Sequence, residues 1–301
     1  VGIAYGADEA GDVAELIRHA QFAVKRAKAS GLAESYLPQD FAIARAQFGM
    51  ETALRRAIEN RELRLAYQPI CDLATGRIVA FEALARWTDE QGRKHCPTEF
   101  IPVAEESGLI VPLGRWAIDE AARTLAAWDA RQGTPCGVKF AVNLSAIQLQ
   151  RDDIAPVLEA ALATTGLTGD RFTLELTESA IVTDPDRIAG TMHALKALGT
   201  TLAMDDFGTG YSNLAYLQKL PIDVLKIDRS FVTEMLADRD KVSIVRAILS
   251  LAQALGMKTT AEGIETNELA QTLAALGCTF GQGYFYAKPL EAEAAFAMIK
   301  P

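Results

Sequence analysis

The sequence predicts an α/β fold, a modified TIM (β/α)8 barrel whose first strand runs antiparallel to its neighbours. Three observations predict it. From about Arg77 onward, short β-branched or apolar runs alternate with polar loops and helical periods of ten to twenty residues, the pattern of stacked βα units. With an earlier run at 63–70, eight such runs occupy roughly 240 residues, the usual span of a closed eight-stranded barrel rather than an open sheet. The link between the first two, CDLATG, is short and turn-like, which suits a hairpin and not a helical crossover. A chain of 301 residues, half hydrophobic and 23% charged, can bury the core this fold needs.

The elements follow in order. Residues 1–40 differ from the rest: a helix over about 12–30 ends in the basic turn Lys25, Arg26 and Lys28 before Gly31, and reads as the tail of another unit. Pro38 separates it from a linker helix over 41–60, and the barrel occupies 61–301. Its strands are LRLAYQPI (63–70), IVAFEALAR (78–86), KFAVNLS (139–145), FTLELTE (172–178), TLAMDD (201–206), VLKID (224–228), KTTAEG (258–263) and TFGQG (279–283). The helix before TLAMDD carries its own punctuation: Asp184 as N-cap, Pro185 in the first turn and Gly199 past the end.

Composition removes several classes of function. A net charge of −9 opposes binding to duplex nucleic acid. The three histidines, His19, His95 and His193, are far apart, so neither a helical two-histidine zinc site nor a serine–histidine triad is well supplied. The four cysteines, Cys71, Cys96, Cys136 and Cys278, form no close pair and are expected as free thiols. No run reaches the ~20 apolar residues of a membrane span, and the first residues do not read as a signal peptide, so a cytoplasmic fragment without membrane contact is expected, whatever anchors its parent protein. Acid–base or metal chemistry must therefore rest on carboxylates.

Strand parity says where they are. Glu82 and Arg86 share the inward face with Ala80 and Leu84; Asn143 falls with Ala141, Glu175 with Thr173, Asp205 with Ala203, Lys226 with Val224, and Glu262 with Thr260. These positions converge on the rim where barrels place their active sites, and Asp206 adds another acid at the loop entrance. So many like charges in one mouth demand cations, because one lysine cannot neutralise Glu82, Glu175, Asp205, Asp206 and Glu262 together. Oxygen donors without thiolate or imidazole select Mg²⁺ or Mn²⁺. A pair of such ions bridged by Asp205 suits displacement at phosphorus, with Lys226 orienting or deprotonating the attacking water. Gly208 and Gly210 in DDFGTGYSN lack the third glycine of a dinucleotide loop and read as a mobile lid; Gly281 and Gly283 read equally as turn glycines or as points of ligand approach.

From about Tyr67 to Pro289 the chain resembles the EAL-domain family of cyclic di-GMP phosphodiesterases. The likeness rests on Glu82-Ala83-Leu84 followed by Arg86, then VNLS, ELTES, DDFGTGYSNL, LKID with Asp228, AEGIE and GQGYFYAKP, in that order. The resemblance implies that Glu82, Asn143, Glu175 and Asp205 hold one metal and Asp205, Asp206 and Glu262 the second. It also implies that Lys226 contacts the nucleophilic water, Arg86 meets a substrate phosphate, and Gln68, Glu265 and Gln282 contact substrate or support the site, with Glu178 anchoring the lid. The implied reaction is hydrolysis of cyclic di-GMP to linear pGpG by in-line attack of a metal-bound hydroxide, in a homodimer. The alternative is a catalytically silent cyclic di-GMP receptor. A sugar-phosphate barrel enzyme would need a better phosphate loop than GQGYFY. The stretch GIAYGADEAGDVAELIRHAQFAVKRAKASG resembles the end of a GGDEF (diguanylate cyclase) domain without its signature motif.

Overall fold

The computed structural model describes residues 1–4, 32–35, 38–178, 180, 185–209 and 217–299, together with isolated positions between 17 and 27. The chain divides into two compact units, Val1–Arg56 and Ala57–Pro301. In the first, Gly2–Ile3 pairs in parallel with Glu34–Ser35. The helix expected over 12–30 and its basic turn fall largely outside the described residues; within that stretch Ala23 is buried while Ile17 and Val24 are exposed. Helix α1 (Pro38–Asn60) starts on the proline expected to precede it. The reason is local: proline has no N–H to leave unpaired in a first turn, and its φ already suits one.

The second unit is a closed barrel of β1 (Leu63–Asp72), β2 (Ile78–Thr88), β3 (Lys139–Leu144), β4 (Phe172–Thr177), β5 (Thr201–Phe207), β6 (Val224–Ile227), β7 (Lys258–Ala261) and β8 (Phe280–Gln282). Around the barrel the order is β1, β8, β7, β6, β5, β4, β3, β2, and β2 closes on β1. Strands β2 to β8 run parallel to their neighbours in that series, while β1 runs antiparallel to both β2 and β8. The reversal is written in the turn. The Asp72 carboxylate accepts from Thr75 N and Oγ1 at 2.8 Å each, and Gly76, at φ +69°, donates to Asp72 O.

Helices cover the outside. Among them are α2 (Pro97–Ser107), α3 (Ile110–Gln132), α4 (Ala146–Arg151), α5 (Ile154–Thr165), α6 (Pro185–Ala197), α7 (Arg239–Ala254) and α8 (Asn267–Ala275). Ser145, Asp238 and Thr266 accept first-turn N–H groups at α4, α7 and α8. Pro185 opens α6 and Gly199, at φ +90°, lies beyond its end, as expected; Asp184 lies outside the described residues. Outward strand positions and helices share the main core, in which Phe140 stacks obliquely on Tyr67 and edge-on to Trp128 at 4.9 Å each. On the inward face Ile70, Ala80 and Ala141 form a small apolar group.

The four cysteines are free thiols, Cys96 exposed and the others buried. His95 stacks on Trp87 and bonds Asp89, and His193 is exposed on α6, so neither reaches the barrel mouth; His19 lies outside the described residues. Among the described residues no helix is long and apolar enough to cross a membrane.

Candidate active site

The C-terminal ends of the strands form a mouth of about 530 Å³. Its acidic centre depends on an irregularity in β5. Simple alternation would send Asp205 and Asp206 to opposite faces. Instead the ladder between β5 and β6 slips between Met204 and Phe207, Asp206 adopts a left-handed backbone at φ +55°, and its N–H bonds Asp205 Oδ1 at 3.0 Å. Such a bulge re-aims a side chain, and a non-glycine residue held there marks a site whose surroundings enforce it. Both carboxylates thereby join Glu262 from the end of β7: one oxygen from each of the three lies within 4.8 Å of the others. Oxygen donors at this spacing could hold a divalent cation.

Lys226, on β6 and 1% exposed, is the hub. Its Nζ lies 2.6 Å from Glu175, 2.7 Å from Glu262, 3.0 Å from Asp205 and 4.0 Å from Glu82. A buried ammonium survives only with partners, and here burial, which pulls its pKa down, is outweighed by Glu175, Glu262, Glu82 and Asp205, leaving it well above its usual value. The acids show the reverse strain. Burial, with Glu82 and Asp205 nearby, raises Glu175 well above the carboxylate range. Glu262 is pushed up to about 7, first by burial and then by Asp205 and Glu82; Asp206 is raised by burial and by Asp205 and Asp228. One ammonium among these carboxylates leaves an excess of negative charge that a cation would relieve. The donor set therefore fits hard divalent ions.

Glu82 is fixed from two sides. Asn143, exposed at the rim, donates Nδ2 to Glu82 Oε1 at 2.7 Å; the buried Gln282 donates Nε2 to Glu82 Oε2 and to Gln68 Oε1. Gln68 stands directly opposite Glu82 in the β1–β2 ladder, so the reversed strand delivers this support. Glu265 lines the same mouth and is exposed. Arg86 sits higher on β2, donates to Ala85 O at 2.9 Å, and is held below the usual arginine range by burial despite Glu82 and Tyr284.

The structure thus gathers Glu82, Asp205, Asp206, Glu262, Lys226, Asn143, Gln68 and Gln282, and places Glu175 deeper, behind Lys226. Glu178 Oε2 accepts from Gly208 N at 3.3 Å, which ties the ends of β4 and β5 together; the expected lid beyond Thr209 is outside the described residues. Gly281 and Gly283 have a packing role: a Cβ on Gly283 would meet Ile264 backbone atoms at 2.1 Å, and one on Gly281 would meet the Ile264 and Leu73 side chains. Sequence reasoning passed over Arg229, Ser230, Thr233 and Tyr284, which also line the mouth. The signal for Arg229 and Ser230 was their place after LKID, where Asp228 caps a single helical turn by accepting from Ser230 N.

The EAL domain family model matches residues 51–289. The chain belongs to the EAL domain family. MucR of Pseudomonas aeruginosa, named a bifunctional diguanylate cyclase and cyclic di-GMP phosphodiesterase, is 40% identical over 246 residues, 82% of this chain and 36% of that protein. PdeR of Escherichia coli, named a cyclic di-GMP phosphodiesterase, is 36% identical over 296 residues, 98% of this chain and 44% of that protein. Among solved EAL structures, the MucR phosphodiesterase in complex with cyclic di-GMP superposes with a TM-score of 0.77 at 39% identity, over 82% of this chain and 99% of that one. The EAL enzyme Bd1971 with cAMP and cyclic di-GMP bound gives a TM-score of 0.82 at 32% identity, over 97% and 77%. The chain spans less than half the length of these curated relatives.

Proposed function

We propose that this EAL domain is a phosphodiesterase that hydrolyses cyclic di-GMP to linear pGpG with two divalent cations, Mg²⁺ or Mn²⁺. The observation that carries the reading is the convergence of Asp205, Asp206 and Glu262 beside the buried Lys226. Glu82, Asn143, Glu175 and Asp205 would hold one cation, and Asp205, Asp206 and Glu262 the other. Bound there, the cations supply Lewis acidity toward water and phosphoryl oxygen.

The chain's own groups do the rest. Lys226 stays protonated among its carboxylates and orients the attacking water by donating to it in exchange for one of those carboxylates. Glu82 needs a fixed orientation, and Asn143, Gln282 and Gln68 give it one. Arg86 at the rim meets a phosphate of the substrate, while Gln68, Gln282 and Glu265 lie where the rest of the dinucleotide passes. Glu178 holds the loop after β5 through Gly208. In this reading the barrel, 61–301, is the catalytic unit, 41–60 is its linker, and 1–40 is the end of a GGDEF domain; the active protein is a cytoplasmic homodimer.

Chromatography of cyclic di-GMP after incubation with the chain tests this. Conversion to pGpG with Mg²⁺ or Mn²⁺ and none in EDTA is expected. An intact substrate after hours, with binding indifferent to EDTA, would assign the receptor role instead.

A further inference from the structure

The barrel has a second opening, at the N-terminal ends of its strands. Barrel interiors are ordinarily filled by layers of branched side chains. Here the inward positions are Ala80, Ala141, Ala203, Thr173 and Thr260, and they leave a cavity of about 630 Å³, within the roughly 300–1,000 Å³ range of small-molecule sites. Its floor is the Glu175–Lys226 pair, closed at 2.6 Å, which separates it from the acidic mouth. We propose that this lower cavity binds a small organic monocarboxylate with a compact apolar body.

The lining sets the ligand's chemistry. Ile70, Val79, Ile222, Val224 and Phe280 give apolar walls. Lys139 on β3 and Lys258 on β7 stand at the entrance, four strands apart and so on opposite walls. The acids beside them are already engaged. Asp72 accepts from Thr75, and Asp223 takes Lys196 Nζ at 2.8 Å and Leu202 N at 2.8 Å. The lysines are less committed: Lys139 Nζ reaches Thr201 Oγ1 at 3.4 Å, and Lys258 Nζ lies 5.5 Å from the Phe280 ring centre and feels Asp72 only at longer range, with no ion pair within 4.0 Å for either among the described residues. Thr260, 3% exposed and on the inward face of β7, lines the interior with a hydroxyl that bonds no other described residue. That oxygen is open to the cavity, where a ligand or water oxygen can bond it.

These features favour one charge class. An ammonium ligand would meet two lysines at the entrance. A phosphate dianion would find no guanidinium fork or backbone nest among the lining residues, and its two charges would be left in apolar walls. A single carboxylate matches the point charge of a lysine, and the apolar walls match a hydrocarbon or aromatic body.

Octanoate and indole-3-acetate serve as probes, with octan-1-ol and octylammonium as the uncharged and cationic counterparts, titrated calorimetrically into the whole chain. Saturable one-to-one binding of at least one carboxylate is expected, with Kd below about 1 mM and about tenfold tighter than either counterpart. Lys139→Gln with Lys258→Gln is expected to weaken it at least about tenfold, and Thr260→Ile, which occupies the interior without changing charge, to do the same. Cyclic di-GMP binding at the opposite mouth should be unchanged in both. Failure of both probes to saturate by about 10 mM overturns the proposal, as does parental affinity in the double-lysine variant, which alters only rim positions and does not depend on how Thr260→Ile folds.

Discussion

The two ends of the barrel interior are built from the same inward-facing positions, yet they oppose each other chemically. At the upper end Glu82, Asp205 and Glu262 crowd around Lys226, with Asp206 beside Asp205 and Glu262; at the lower end Ala80, Ala141, Ala203 and Val224 leave space, with lysines at the rim. Parallel strands explain how one scaffold supports both. A two-residue step along a parallel strand moves from a position lining the lower cavity to one nearer the mouth, so Ala203 and Asp205, or Val224 and Lys226, are neighbours with separate tasks. The upper end gives up stability to concentrate charge, and the lower end gives it up by leaving the interior unfilled; the main core outside the strands carries the fold.

This contrast can be tested where its effects are greatest. With Mg²⁺ present, Asp205→Asn and Glu82→Ala are each expected to lower turnover by on the order of 10³-fold, measured as pGpG formed per folded molecule, because each removes a charged oxygen from the proposed ion site. Lys226→Ala is expected to reduce turnover by about 10²-fold or more, and to reduce cyclic di-GMP affinity far less, since its proposed role is toward the water and not the ligand. Equal losses in both would remove that role. In the outer core, Phe140→Ala should cost ~3–5 kcal/mol in urea unfolding, with turnover of the remaining folded fraction little changed.

A pH titration of stability sharpens the upper side. Glu262, raised from 4.5 to about 7, keeps its proton in the folded protein over a range where the unfolded chain has released it. The folded state then binds more protons, so the stability of the cation-free protein must fall as pH rises through that window; Glu175 and Asp206 act in the same direction. Added Mg²⁺ should therefore raise the Tm more at pH 7.5 than at pH 5, and an equal rise would contradict the charge crowding. The smallest effect belongs to the lower rim: Lys139→Gln should change turnover by less than about twofold.

The eight strands and the reversed first strand were readable because strand patterning and a short turn are local properties. Inward parity also placed Glu82, Asp205, Lys226 and Glu262 correctly, each being fixed by its own strand. The pairing of Asp205 with Asp206 on one side was readable only as a motif, because it needs the slipped β5–β6 ladder and the left-handed Asp206, which alternation rules do not contain. Glu175 has the expected parity but lies behind Lys226, a matter of depth set by strand stagger. The lower cavity could not be read at all: Ala80, Ala141, Ala203 and Thr260 are unremarkable one at a time, and only closure of the barrel puts them around one space. Gln282 supporting Glu82 depends in the same way on two segments meeting across the closure.

The reversal of β1 also decides where the polypeptide joins the barrel. An ordinary (β/α)8 chain enters beneath the sheet, remote from the reacting end. Here Leu63 pairs with Trp87 at the top of β2, and the chain descends past Gln68 toward Asp72. Tension or rotation applied at residues 57–62 thus arrives beside the proposed catalytic rim, about half the length of β1 from the glutamine that steadies Gln282 and, through it, Glu82.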